Sequence, residues 1–170
     1  RGIAGRSASR RAMAVWALSE RDRARPGAWL HAPSVGEGLQ ARAVLEALHR
    51  RRPALQAVFT HFSPSAEAFA ARVGASWAGY LPWDLREEMG PALDLAAPGV
   101  VAFTKTEVWP VLVEEAARRR IAVALVGGSV PPGARRARWP GRKLLRPTWS
   151  RLSLACAIAE GDAEGLRSLG

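Results

Sequence analysis

A short segment near residue 34 combines a serine, a glutamate and two glycines in a spacing that suits acid–base chemistry. It reads Ser34-Val35-Gly36-Glu37-Gly38 and follows an apolar run. A carboxylate at a helix start stays ionised because the helix dipole stabilises negative charge there, so Glu37 could accept a proton. The same spacing fits a capping box, in which Ser34 and Glu37 satisfy backbone donors. The glycines would let a ligand approach closely, whereas the glutamate would repel the pyrophosphate of a nucleotide.

A second segment with chemical potential is Lys105-Thr106-Glu107-Val108-Trp109-Pro110. Glu107 is either an exposed loop acid or part of a binding wall, and Trp109 either fills the core or contacts a ligand. Lys105 could hold an anionic group or simply be solvated. His31 ends an earlier apolar run, and its apolar neighbours favour a hydrogen-bonded core histidine over a catalytic one.

Six short apolar runs are the elements that must position these segments. Nearly continuous apolar runs are typical of strands buried on both faces of a parallel sheet. Helical periodicity lies between them, and Asp84-x-x-Glu87 predicts a capping box at one helix start. The predicted strands are Ala28–Ala32, Ala54–Thr60, Ser76–Leu81, Val100–Thr104, Ile121–Val126 and Ser153–Ala159, and the clearest predicted helices are Gly36–Arg51, Leu85–Leu95 and Val111–Arg120.

This alternation predicts an α/β fold, namely a Rossmann-like doubly wound parallel sheet with right-handed crossovers. Functional sites in such sheets lie at the carboxyl ends of the strands. Glu37 follows the first predicted strand and Glu107 follows the fourth. We therefore expect these two carboxylates to line one cleft.

Composition limits the class of protein further. A length of 170 residues with 48% hydrophobic residues suits a single domain with a real core. The one cysteine, Cys156, excludes an internal disulfide, fits a reducing compartment and is predicted to lie in the core. Three scattered histidines make no metal-binding pattern, and no apolar run approaches the ~20 residues that span a bilayer. No metal or cofactor is expected.

The net charge of +10 favours anionic partners, although an arginine-rich surface can also be merely solvated. One segment, Val130–Arg151, argues for a specific role because it carries seven basic residues, no acid and the tryptophans Trp139 and Trp149. Such a segment could lie on a membrane surface or bind a phosphorylated ligand. Its basic residues are Arg135, Arg136, Arg138, Arg142, Lys143, Arg146 and Arg151.

Three motifs in register resemble the 3-deoxy-D-manno-octulosonic acid (Kdo) transferases of lipopolysaccharide synthesis. The family's Trp-x-His-Ala-x-Ser-Val-Gly-Glu is matched from Trp29 to Glu37, and its Tyr-Leu-Pro-x-Asp is matched from Tyr80 to Asp84. The family's Glu-Thr-Glu-Leu-Trp-Pro reads Lys105-Thr106-Glu107-Val108-Trp109-Pro110 here. Order and spacing hold from about Arg21 to Gly170, so the resemblance covers most of the chain.

This resemblance implies the GT-B fold, in which two Rossmann-like domains face each other across a cleft. Residues 1–170 correspond to its N-terminal, acceptor-binding domain, and the C-terminal donor-binding domain is expected to be absent from this chain. The implied reaction is inverting transfer of Kdo from CMP-Kdo to a lipid A-type acceptor. Glu37 is the implied catalytic base, and the implied acceptor-binding residues are Ser34, Gly36, Lys105, Glu107 and Trp109.

The same resemblance implies the partners and the location. The donor would be held by the missing domain, the acceptor would be an anionic glycolipid, and the basic surface would make peripheral contact with a membrane. The expected location is the cytoplasm, at the inner face of the cell membrane.

Two departures from the family pattern bear on the identity of the acceptor. Lys105 replaces the first glutamate of Glu-Thr-Glu, and Gly127-Gly128-Ser129-Val130-Pro131 replaces Asn-Ala-Arg-Leu-Ser. The lost arginine could have bound an anionic group, so the alternative is a non-catalytic module that binds an anionic glycolipid or a membrane. A basic nucleic-acid-binding domain would explain the charge but not the ordered motifs, and no nucleic-acid partner is expected.

Overall fold

The computed structural model describes residues 2–131 and 133–170, which form a parallel sheet with helices on both faces. All six predicted strands are present, each within two residues of its predicted ends. The strands are β1 (Gly27–His31), β2 (Gln56–His61), β3 (Trp77–Tyr80), β4 (Val100–Thr104), β5 (Ala122–Gly128) and β6 (Leu154–Ala157). The α-helices are α1 (Gly2–Ser19), α2 (Val35–Arg51), α3 (Glu67–Ala70), α4 (Arg86–Ala96), α5 (Pro110–Arg118), α6 (Gly141–Trp149) and α7 (Glu160–Leu169).

The strand order is β3-β2-β1-β4-β5-β6, and every neighbouring pair is parallel. This order confirms the predicted Rossmann-like doubly wound sheet. The chain builds outwards from β1 to β3 and then returns to the centre, where β4 pairs with β1. The crevice between the carboxyl ends of β1 and β4 is therefore the topological switch point, where doubly wound sheets bind ligands.

Alternate strand residues belong to two separate hydrophobic cores, because successive side chains of a strand point to opposite faces of the sheet. On one face Trp29 and Phe103 pack with α1, α4 and α5. On the other face Leu30 and Phe59 pack with α2 and α3. Burial on both faces explains why the central strands read as continuous apolar runs.

Helix α1 was not predicted. Its Met13 and Trp16 are buried against the first core, but the rest of the helix is rich in alanine, serine and arginine. These residues give a weak helical periodicity, so the sequence pattern did not reveal it. The helix packs on α4 and β3 and brings a buried arginine, Arg6, towards the carboxyl edge of the sheet.

The predicted capping box at Asp84 is wrong. Helix α4 starts after Leu85 with no side-chain cap. The Asp84 carboxylate instead accepts hydrogen bonds from the backbone N–H groups of Val111 and Leu112, at 3.0 and 2.9 Å, in the first turn of α5. A proline at the first position of α5 lacks an N–H, so Asp84 satisfies the next two free donors of that helix.

The prediction that Cys156 lies in the core is also wrong, since Cys156 is exposed. It belongs to β6, the edge strand of the sheet, whose residues are mostly exposed. Leu154, two residues earlier and therefore on the same face, is 57% exposed. An apolar run predicts a strand, but burial of that strand depends on elements that cover it from elsewhere.

Candidate active site

Glu37 lies in the first turn of α2, directly beyond the carboxyl end of β1. Ser34 occupies the N-cap position with extended backbone, but its side chain makes no capping hydrogen bond. The Ser34 hydroxyl donates to Oε2 of Glu37 instead. The capping box is therefore not formed, and the serine orients the carboxylate rather than the helix. Gly36, between them, is exposed and keeps the approach to Glu37 open.

The second partner of Glu37 comes from the loop after β4. The Lys105 ammonium lies 3.2 Å from Oε1 of Glu37. The backbone of Lys105 has a φ of 61°, in the left-handed region that non-glycine residues rarely adopt and that often marks functional sites. The lysine side chain is half exposed, and such ion pairs contribute only about 0.2–1 kcal/mol. The contact can therefore be exchanged for another anion at little cost.

The two carboxylates at this edge differ in acidity. The hydrogen bond from Ser34 has the largest effect and lowers the pKa of Glu37, burial opposes it, and the contact with Lys105 lowers the pKa further. Burial raises the pKa of Glu107, and the negative charge of Glu37 raises it too, while Arg6 opposes both. Glu107 follows β4, so it lies at the same edge of the parallel sheet as Glu37. Environments that separate two carboxylate pKa values are typical of sites that divide acid and base roles.

His31 links the first and third sequence motifs. Its ring is fully buried at the end of β1. Nε2 accepts a hydrogen bond from the indole N–H of Trp109 at 3.1 Å, so the proton lies on Nδ1, which is 3.0 Å from Oγ1 of Thr60. Burial lowers the pKa of His31 to about 3, which keeps the ring neutral. This arrangement supports the expected core histidine, which fixes the Trp109 ring beside the Glu107 loop.

Sequence reasoning missed Arg6. The guanidinium is buried, and it donates from Nε to the carbonyl of Leu81 at 3.1 Å and from Nη2 to the carbonyl of Pro82 at 3.0 Å. Burial lowers its pKa, while Asp84 and Glu107 raise it. Arg6 is one of three arginines among the small residues of α1, so nothing in the sequence distinguishes it, and only packing shows that α1 contributes to this site. The guanidinium lies 4.9, 4.3 and 5.0 Å from the ring centres of Phe62, Trp83 and Trp109.

An open cavity of about 290 Å³ adjoins Glu107. Residues of the loop after β4 and of the basic segment both line it, and Arg136 donates from Nη1 to the carbonyl of Thr106 at 3.3 Å. The lining of the cavity therefore includes both a carboxylate, that of Glu107, and a cation, that of Arg136. Its lining residues are Thr106, Glu107, Val108, Arg136, Leu145 and Trp149.

Ser34, Gly36, Glu37 and Lys105 thus lie together, with Glu107 at the same edge and Trp109 turned towards His31. Within residues 2–131 and 133–170, no three histidine, cysteine or acidic side chains are grouped to hold a metal ion. Over the same ranges, no helix has both the length and the apolar character that crossing a membrane requires.

Solved structures share this fold at low sequence identity. A Neisseria meningitidis UDP-GlcNAc 2-epimerase bound to UDP-GlcNAc aligns with a TM-score of 0.57 at 14% identity, over 84% of this chain and 43% of that one. MnaA of S. aureus in complex with UDP aligns with a TM-score of 0.62 at 11% identity, over 85% and 41%. These likenesses show the fold alone, which is the N-terminal half of a GT-B fold.

Two curated relatives are 3-deoxy-D-manno-octulosonic acid transferases. The Haemophilus influenzae protein is 31% identical over 135 residues, which cover 77% of this chain and 31% of the relative. The Bordetella pertussis protein is 29% identical over 147 residues, which cover 82% and 33%. The chain therefore spans about a third of the length of these relatives.

A family profile matches still more of the chain. The family described as 3-deoxy-D-manno-octulosonic-acid transferase (kdotransferase) matches residues 6–170, a range that includes all three motifs and every residue of the site above. This range begins at Arg6, the buried arginine of α1. The chain belongs to the 3-deoxy-D-manno-octulosonic-acid transferase family and is a glycosyltransferase N-terminal domain of that family.

Proposed function

We propose that this chain is the acceptor-binding domain of an inverting glycosyltransferase that moves Kdo from CMP-Kdo to a lipid A-type acceptor. The observation that carries the proposal is the position of Glu37, an acidic carboxylate at the switch point of the sheet. Family membership supports the donor and the acceptor class.

In the proposed reaction Glu37 takes the proton of an acceptor hydroxyl. The hydroxyl oxygen forms a bond to the anomeric carbon of Kdo as the bond from that carbon to the phosphate oxygen of CMP breaks. CMP leaves with the bonding electron pair and is held by a donor-binding domain. A positioned base of this kind contributes typically ~10²–10⁴-fold to the rate.

The acceptor wall would consist of Gly36, Glu107 and Trp109. Trp109 is fixed by its hydrogen bond to His31, and the charges of Glu37 and Arg6 act on Glu107 in opposite directions. Trp109 therefore occupies a defined position before a ligand binds, which favours precise orientation of the hydroxyl.

The 170-residue domain alone is expected to transfer no sugar, because the proposal assigns donor binding to a second domain. The measurement is CMP release from CMP-Kdo with a lipid A-type acceptor, for this domain and for the domain joined to a donor-binding half. Release should appear only in the joined protein. Sustained release from the isolated domain, above that of its Glu37→Ala variant, would contradict the assignment of donor binding to a second domain.

We assign peripheral membrane contact to the basic segment around α6. Trp139 is 82% exposed and Leu144 is 76% exposed, and both lie among arginines and the lysine Lys143. Exposed apolar side chains flanked by cations are typical of interfacial contacts with anionic lipid. This contact would place the acceptor cavity, which Arg136 and Leu145 line, next to the membrane at its cytoplasmic face.

The domain is expected to bind phosphatidylglycerol-containing vesicles, and the variant Arg142→Gln/Lys143→Gln should bind roughly tenfold more weakly or worse, since each cation near such a surface contributes ~1 kcal/mol. Sedimentation with vesicles measures this binding. Arg50→Gln/Arg51→Gln is the matched control, because it also removes two exposed cations but lies in the last turn of α2, away from α6. Equal loss of vesicle binding in both variants would argue against the assigned surface, as would binding that does not weaken when salt is added.

A further inference from the structure

Lys105 occupies a position that gives its side chain two possible partners. Its backbone N–H donates to the carbonyl of Val126 at 3.0 Å, which holds the left-handed turn after β4. From this turn the ammonium reaches Glu37, while the side chain remains half exposed at the open edge of the site. A ligand that enters the crevice therefore meets the ammonium directly.

Glu37 has both carboxylate oxygens engaged. Oε2 accepts from the hydroxyl of Ser34 and Oε1 contacts the ammonium of Lys105. Its other charged neighbour is Glu107, whose own charge is offset by Arg6 from α1. Among residues 2–131 and 133–170, Lys105 is the cation in contact with Glu37.

A carboxylate held in this way is a weak base. Both contacts favour its ionised form and lower its pKa, whereas a general base works best when its pKa lies near the operating pH. Ser34 is fixed at the N-cap of α2, but the lysine can swing on four methylene groups. Lys105 is thus the contact that can be removed without unfolding the site.

We infer that Lys105 is a positioning residue whose contact with Glu37 is broken when the acceptor binds. An anionic group of the acceptor, beside the reactive hydroxyl, attracts the ammonium of Lys105 away from Glu37, and Oε1 of Glu37 is then free to take the hydroxyl proton. This inference rests on the proposed function and narrows its substrate class to sugars that carry a carboxylate or a phosphate next to the attacking hydroxyl. A neutral sugar leaves Lys105 on Glu37 and reacts slowly. The step moves one proton, from the hydroxyl to Glu37, while the charge of Lys105 is unchanged.

The exchange can be measured without any transfer reaction. Carbon-13 NMR of glutamate carboxyl groups in the 170-residue chain reports the titration of Glu37 directly. Glucuronate, glucose 1-phosphate and glucose serve as carboxylate, phosphate and neutral probes. We expect the pKa of Glu37 to rise when glucuronate or glucose 1-phosphate is added, and to stay unchanged with glucose. Glu46, on the exposed surface of α2, is the internal reference that should not respond.

Two variants test the lysine itself. Lys105→Met removes the ammonium, and Lys105→Gly removes it while relieving the left-handed backbone, so one of them reports even if the other is poorly folded. Both should raise the pKa of Glu37 in the absence of any probe and abolish the response to the anions. The inference would be overturned if the anions raised the pKa of Glu37 in either variant as much as in the wild type. It would also be overturned if neither anion changed the pKa of Glu37 in the wild type.

The joined transferase gives the second readout. The wild type should prefer an anionic acceptor over its neutral analogue by roughly tenfold or more, the size expected of a charge-assisted hydrogen bond, and Lys105→Met should lose this preference, whereas Lys105→Arg should keep most of it. Failure of the proposed function looks different. In that case no acceptor is used at all, while the NMR titration still shows whether Lys105 exchanges between Glu37 and an anion.

Discussion

Replacement of Glu37 by glutamine is expected to lower sugar transfer by the joined transferase by about 10²-fold or more while the melting temperature stays near native. Glutamine cannot accept a proton at neutral pH, so a true base is disabled. The structural cost is small, because loss of one charge near the start of α2 amounts to ~0.3–1 kcal/mol and the contact with Lys105 is half exposed. CMP release and thermal melting of the same samples measure the two effects.

The matched control is Glu46→Gln. Glu46 lies about two and a half turns further along α2 and pairs with Arg42 at 3.7 Å, so its replacement also removes a carboxylate and a surface ion pair from this helix. Transfer by this variant should equal that of the wild type. If Glu37→Gln keeps most of its transfer rate, Glu37 is not the base and Glu107 becomes the candidate. If even the wild type transfers nothing, the non-catalytic glycolipid-binding module becomes the better description.

The sheet was predictable because its central strands are buried on both sides. Trp29 and Leu30 point to opposite cores, yet both positions demand large apolar side chains, so the strand reads as a continuous run. Parallel pairing then follows from the helices between the strands, because a parallel connection needs a crossover of that length. Because the strands are parallel, the segments after β1 and β4, which carry Glu37 and Glu107, were expected at the same edge of the sheet.

Features that depend on distant partners were not predictable. Asp84 and Glu87 have the spacing of a local capping box, but the carboxylate of Asp84 finds better donors in α5, which approaches only after the chain has folded. Arg6 is 75 residues from the carbonyl of Leu81 that it contacts. Cys156 lies in an apolar run, but its exposure depends on what covers an edge strand. Local patterns carry no information about these three environments.

One departure from the family pattern has a conformational explanation. Gly127, which stands where the family has asparagine, has a φ of 60°. Glycine and asparagine are the residues that adopt the left-handed region most readily, so this exchange keeps the irregularity between Leu125 and Gly128 near the end of β5. Ser129, which stands where the family has arginine, donates to the carboxylate of Asp162 at 3.2 Å. The loop thus retains a polar tie to α7 without the arginine.

Acidification is expected to destabilise the domain well above the usual carboxylate range, through His31. Its pKa is about 3 in the folded chain because of burial, against an ordinary value of 6.5. Below pH 6.5 the unfolded state therefore binds a proton that the folded state does not bind. The free energy of unfolding consequently falls as the pH falls towards 3. The full depression corresponds to several kcal/mol, on the order of 5, and to about 1.4 kcal/mol per pH unit within the window.

The variant His31→Gln isolates this effect. Glutamine does not titrate, and its side-chain oxygen can still accept the indole N–H of Trp109. Urea unfolding between pH 6.5 and 4.5 should show a slope about 1.4 kcal/mol per pH unit shallower than that of the wild type, even though the variant is less stable at pH 7.5. Part of the slope should remain, because burial also lowers the pKa of His61.

The control is His49→Gln, which makes the same replacement at the partly exposed end of α2 and so reports effects of the substitution that do not depend on a buried ring. If the pH slope of the unfolding free energy in His31→Gln equals that of the wild type, the pKa of His31 does not differ between the folded and unfolded states. The interpretation of His31 as a buried neutral ring would then be wrong. A shallower slope would show that His31, with Thr60 and Trp109 on either side, is neutral where it joins the two motifs. That neutrality matters for the site, because a cation at His31 would present a second N–H to the indole N–H and push Trp109 away from the Glu107 loop.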